Sequence, residues 1–214
     1  MANSAPKEDP QGLLQRVAQA YSAMSSYQDH GRVVLVNADE PPLQIDFATL
    51  YKRPSLFRFE FSRPHPYAPL RHIVSTHVVG FDGSRAYSQT ERYQEAPRLE
   101  TRRDLPSAIA GATGISSGSA HSISRLLLAE VSGFSLLDLV DVRLDAATQI
   151  DGIACYRVSG NNPRGGEWDY TIERDSLLIR RIRTQSGKYP KEEYRENILV
   201  DRPLDDRLFA TSRS

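Results

Sequence analysis

Residues 51–61, YKRPSLFRFEF, constrain the fold more than any other stretch of the chain. Phe57, Phe59 and Phe61 recur at period two, so in an extended strand all three point to one face, while Leu56, Arg58 and Glu60 point to the other. Each Phe contributes roughly 1.5–3 kcal/mol when fully buried, so this face must meet a core or a cavity filled by something apolar. Pro54 has no N–H and pushes Arg53 towards extended geometry; the pair marks the start of a strand, with Lys52 and Arg53 near its rim.

The rest of the chain supplies the other walls. Leu13, Leu14, Val17, Ala18 and Tyr21 recur at helical spacing, which predicts an amphipathic helix over 11–24 that lays one face on a partner surface. The period then changes to two. Strands are predicted over 27–37, 43–52, 56–62, 72–81 and 85–90, with Asp82-Gly83 as a hairpin turn. From 91 to 133 the strand rhythm lapses. Asp104 and Pro106 signal a helix start leading into 107–112, residues 111–119 form a Gly/Ser connector, and Ser119 or Ser122 opens a second helix carrying Ile123, Leu126, Leu127, Leu128 and Val131, ended by Gly133. Strands resume over 137–150, 153–160, 167–173, 177–185 and 192–199, with Asp151-Gly152 as another hairpin turn. The pattern predicts one antiparallel sheet of roughly ten strands, too many to stay flat without curling. A curled sheet interrupted by two short apolar helices is a container with a cover.

Composition narrows the function classes. Of the 214 residues, 39% are hydrophobic and 25% charged, as suits a sheet with a solvated outer face. Lys plus Arg and Asp plus Glu are balanced at 27 each, which gives no global electrostatic basis for binding nucleic acid or an anionic membrane. The basic clusters at Arg98, Arg102, Arg103 and at Arg180, Arg181, Arg183 read as solvated faces. Cys155 is the single cysteine, so neither an intrachain disulfide nor a Cys-based zinc site can form. No run reaches the apolar length of a membrane-spanning helix. Residues 1–10 form a polar lead of the kind that follows a removed export signal, and 11–210 read as one domain.

No catalytic constellation stands out. Gly114-Ile-Ser116-Ser-Gly118 fits the pattern of a nucleophile elbow, but no strand precedes it and only His121 follows. His72 and His77 are an odd interval apart and face opposite ways on a strand, which excludes a shared metal. Glu192-Glu193 and Asp205-Asp206 read as solvated pairs. What remains is apolar capacity: Trp168, Tyr170, Tyr156, Tyr51, Phe47 and the three Phe can line a cavity or fill a dry core.

Several motifs occur in a telling order: Met24-Ser-Ser-Tyr27; Tyr51 through Phe57 with Arg58 and Phe59; Phe81-Asp-Gly-Ser84 with Tyr87; Asp151 through Tyr156; Thr171 through Leu178; and a closing stretch from Asn197 to Phe209. This succession resembles the LolA/LolB-like superfamily of lipoprotein carriers, whose relatives include the periplasmic sensor RseB. The resemblance implies an α+β, mainly antiparallel fold: an unclosed half-barrel with an N-terminal helix and two lid helices, in a lid insertion over about 97–133, covering an apolar cavity for acyl chains. It implies a monomeric, periplasmic or otherwise exported binding protein for lipid or lipoprotein acyl chains, working with a membrane-associated donor or acceptor and needing no cofactor, metal or catalytic residue. The expected cavity lining is Phe47, Phe57, Phe59, Phe61, Tyr87 and Trp168, with Ile123, Leu127 and Val131 from the lid, and Arg53 is expected to latch the lid over 105–131. The alternative that the superfamily also allows is an RseB-like sensor or scaffold that binds a protein partner.

Overall fold

A computed structural model describes residues 8–37, 40–185 and 190–211; most of the polar lead lies outside them. The chain opens with α1 (Pro10–Ala23), whose first turn is capped by the Asp9 carboxylate accepting from the Gly12 amide at 2.9 Å. Its buried side, Leu13, Leu14, Val17 and Tyr21, is the stripe read from the helical period.

Among the described residues twelve strands follow and form one sheet. The first five are β1 (Ser26–Asn37), β2 (Glu40–Lys52), β3 (Leu56–Pro64), β4 (Val74–Phe81) and β5 (Ala86–Glu91), each antiparallel to the next. A sixth, β6 (Arg98–Arg102), pairs with β5 where no strand was expected. It is an almost wholly exposed edge strand, so it carries none of the apolar alternation that betrays a half-buried one. Then come α2 (Leu105–Thr113), α3 (Ser119–Ser122) and α4 (Ser124–Leu127). The second half supplies β7 (Val140–Leu144), β8 (Thr148–Ile150), β9 (Ile153–Asn161), β10 (Glu167–Glu173), β11 (Ile179–Gln185) and β12 (Lys191–Val200).

The strand order is β6-β5-β4-β3-β2-β1-β12-β11-β10-β9-β7, with β8 also on β9. The last strand therefore returns to pair with the first, joining two meanders at the β1/β12 seam, and the sheet ends in two unjoined edges. The single strand expected over 137–150 is instead a 3-10 turn at Leu136–Asp138 followed by two short strands.

The expected helix through Val131 also differs, since α3 and α4 meet at Ile123 and Leu128 is already extended. Serine hydroxyls compete with the helical ladder here: Ser119 Oγ donates to the Ser116 carbonyl at 2.8 Å and Ser124 Oγ to the Ala120 carbonyl at 2.7 Å. Helices α1 to α4 cover one face of the sheet and share its apolar core. On the other face the segment 201–211 runs across β2 to β5, held where Lys52 donates to the Leu204 carbonyl at 2.9 Å and Tyr87 to the Phe209 carbonyl at 2.8 Å.

Candidate functional site: the helix-covered face of the sheet

Strand register decides which side chains share the covered face. Phe57 pairs with Tyr51 and Phe81, Phe59 with Thr49 and Val79, and Phe61 with Phe47 and His77, so these residues form cross-strand rows on one side. The rings touch in sequence: Phe47 to Phe59 at 5.5 Å between centroids, Phe59 to Phe61 at 5.7 Å, and Phe61 stacked on the His77 imidazole at 4.9 Å. Phe57, Phe59 and Phe61 are all buried beneath the helices. Trp168 joins the same face from β10, against Phe134 and Tyr170, and Ile123, Leu127 and Val131 pack into the same apolar cluster from above.

Tyr87 does not belong to this group. It pairs with Gly80, which pairs with Arg58, and this row points to the opposite side from the Phe row. Tyr87 is buried there under the 201–211 segment, so its expected place in the lining is corrected by register: one step along β5 reverses the face.

Arg53 is corrected on its partner. Its Nε and Nη2 donate to the Met24 carbonyl at 3.2 and 3.0 Å, and Nη2 also donates to the Ser22 carbonyl. These carbonyls close the C-terminal end of α1, where a cation is favoured; the bonds made by Arg53 go to α1 rather than to the 105–131 cover.

The cover is held instead by charges on β12, among them Glu193, which sequence reading assigned to solvent. Lys191, Glu193 and Arg195 alternate along β12 and so share the covered face, where Glu193 and Arg195 are fully buried. Arg195 donates to Asp29, which also accepts from the Tyr27 hydroxyl at 2.6 Å and the Thr49 amide at 3.1 Å. Arg195 Nη2 donates to Glu193 at 2.6 Å and to Ser122 Oγ at 2.9 Å, and Ser122 Oγ donates to Glu193 at 2.6 Å. Lys191 donates to the Ser117 carbonyl at 2.8 Å. Two residues of the cover, Ser117 and Ser122, are thus tied to the sheet through buried charge.

Burial works to raise the Glu193 carboxyl, but Arg195 and Lys191 outweigh it and hold the group below its ordinary value. Burial likewise opposes the charge on Arg195, yet Asp29 and Glu193 drive its pKa well above the ordinary guanidinium value. The strand partner between Arg195 and Phe47 is Gly31, and a Cβ there would lie 2.3 Å from the Phe47 ring; the gap lets the guanidinium sit 4.8 Å over that ring. The signal for this network was the Lys-Glu-Arg alternation at period two, opposite charges repeated on one strand face.

Two openings flank the Phe row. At the Tyr51 end a groove of about 460 Å³ runs between α1 (Gln15, Ala18, Gln19, Ser22) and the 125–130 turn, with Arg53 on its rim; of the expected lining, Leu127 is the residue that reaches it. At the Phe61 end a cleft of about 430 Å³ opens among Arg63, His77, Arg92 and Ile115. A gap of about 50 Å³ beneath α2 reaches Phe61 and shares His77 and Ile115 with that cleft.

Ser116 of the elbow pattern is buried at the α2/α3 junction, its hydroxyl accepting from the Ala120 amide at 3.2 Å and donating to the Thr113 carbonyl at 3.3 Å. Among the described residues no cluster of three or more His, Cys, Asp or Glu side chains could hold a metal, and no helix is long and apolar enough to cross a membrane.

The described residues thus form an open antiparallel sheet of twelve strands, an unclosed half-barrel with an N-terminal helix and short helices over one apolar face. Among solved structures the chain is similar to LprF from Mycobacterium bovis, at 16% identity over 92% of this chain and 94% of that one with a TM-score of 0.56, a likeness that shows a shared fold. Looser likenesses are to an uncharacterized conserved protein from Thermus thermophilus (13% identity, 95% and 94% covered, TM-score 0.49) and to a LolA superfamily protein from Nitrosomonas europaea (10%, 95% and 98%, TM-score 0.34). No family model and no curated protein sequence matches the chain.

Proposed function

We propose that the helix-covered face receives acyl chains of lipid or lipoprotein, and that the protein is an exported, non-enzymatic carrier or binding protein. The observation that carries this reading is the row of Phe47, Phe57, Phe59 and Phe61 behind a cover of three short helices, with an opening of several hundred Å³ at each end of the row. Pockets of that size are typical of small-ligand sites. Transfer of an acyl chain from water to such a face gains about 0.8 kcal/mol per buried CH₂, enough for uptake with no catalytic group.

In the closed state the Phe rings are sealed. Uptake requires the 105–131 cover to shift, and its polar tethers suit reversible release better than a continuous apolar seam would. Adding cis-parinaric acid to the purified protein should give saturable emission that palmitate displaces. An absence of uptake by protein that still melts cooperatively would reject the reading, and capture of a stable protein partner by that same protein would favour the scaffold alternative.

A further inference from the structure

The inner edge of β3 does not stay apolar to its end. The period that places Phe57, Phe59 and Phe61 on the covered face places Arg63 there next, opposite Ser75 on β4. Arg63 forms no ion pair among the described residues, and its Nε is buried without a hydrogen-bond partner. An arginine without an ion pair, on the wall of an open cleft, can bond an acceptor supplied from outside.

Arg92 lines the same cleft, and its one ion pair among the described residues, to Glu95, is a solvent-exposed contact at 3.9 Å. His77 lies between the arginines and the Phe row, its ring bonded to Ser75 Oγ at 3.0 Å and Thr90 Oγ1 at 3.2 Å. Burial, then Arg92 and Arg63, hold the imidazole below its ordinary pKa, so the permanent positive charges of this mouth are the two guanidiniums, with His65 also in its lining. Pro64, Ile73, Val74 and Ile115 supply apolar walls, and Glu95 is the only carboxylate in the described lining. From this cleft the gap beneath α2 leads to Phe61.

We propose that the Arg63/Arg92 cleft is the headgroup end of the site: it takes the anionic head of an amphiphile, a carboxylate or a phosphate, while the acyl chain passes His77 and Ile115 to lie along Phe61 and Phe59. The proposal rests on the acyl-binding reading and adds a polarity to it. A guanidinium pair can clamp either head by charge-assisted, bidentate hydrogen bonds. The groove beside Arg53 is then the tail end, where the aliphatic Leu126, Leu127 and Leu128 line the wall.

The test compares cis-parinaric acid with its uncharged methyl ester at pH 7.5, in the wild-type chain and in a double variant Arg63→Gln, Arg92→Gln. Both side chains lie at the rim, so the sheet should fold unchanged. The wild type should bind the acid at least about tenfold more tightly than the ester, a difference of about 1.4 kcal/mol. The double variant should bind the ester as the wild type does and lose the preference for the acid. Displacement by palmitate and by lysophosphatidic acid, with lysophosphatidylcholine as the head of zero net charge, identifies whether the carboxylate or the phosphate is preferred; stronger displacement by either anion than by the zwitterion supports the proposal. A wild type that binds acid and ester equally, or a double variant that keeps the preference, overturns it while leaving acyl binding intact. A wild type that binds neither overturns the acyl reading itself.

Discussion

Arg195 is the residue on which the closed structure turns most sharply. It is fully buried and bonded to Asp29, Glu193 and Ser122, so removing its charge leaves two buried carboxylates, with Lys191, 3.8 Å from Glu193, as the remaining cation. Breaking a buried pair in this way typically costs about 3–5 kcal/mol. Arg195→Met should lower the denaturant midpoint by a corresponding amount, and the pH dependence should change sign. In the wild type the Glu193 pKa lies below its ordinary 4.5, so its contribution to stability is complete above about that pH and is lost as the pH falls through the folded value. Without Arg195, burial, the largest influence on Glu193, is opposed only by Lys191 at 3.8 Å and by the Ser122 hydroxyl; the carboxyl pKa rises in the folded state, the folded chain binds more protons than the unfolded one, and stability should rise as the pH falls from 7 towards 5. Urea melts at several pH values check this; a variant with the wild-type slope would show that Glu193 is not held by Arg195.

At the scale of elements, the proposed uptake requires the cover to move. Helix α2 is nine residues long, and its first turn depends on a capping box in which the Asp104 carboxylate accepts from the Ser107 amide at 2.8 Å. Asp104→Ala should speed amide exchange in 105–113 by several-fold while β1, β2 and β12 keep their protection, because a lost cap frays its own helix first. Equal acceleration throughout the sheet would mean that the cover and the sheet open as one unit.

The elements also show what sequence patterning can carry. The Phe row on β3, the buried stripe of α1 and the helix start at Asp104 were legible because each repeats a local period or cap. The edge strand β6 was not, since a strand exposed on both faces has no alternation to read. Tyr87 was misplaced because an aromatic residue after a hairpin carries no mark of which face it takes; pairing opposite Gly80 and the covering 201–211 segment decide that, and both are long-range. Glu193 was assigned to solvent for a related reason. Beside Glu192 it reads as half of an exposed pair, and only the β1/β12 pairing, between residues more than 150 positions apart, brings it under the cover with Asp29 and Arg195.

The whole molecule is a sheet of two meanders with different duties on its faces. One face is strapped by the C-terminal segment; the other carries an aromatic strip that ends in an aliphatic groove on one side and a basic cleft on the other. In the function proposed above, acyl chains occupy this second face by displacing the 105–131 cover. Hydrogen exchange of the chain with and without saturating palmitate tests it most directly. Exchange changes should concentrate in 57–63 and 105–131, with 201–211 unaltered. Palmitate binding that changes protection only along 201–211, or leaves the cover and β3 untouched, would contradict it.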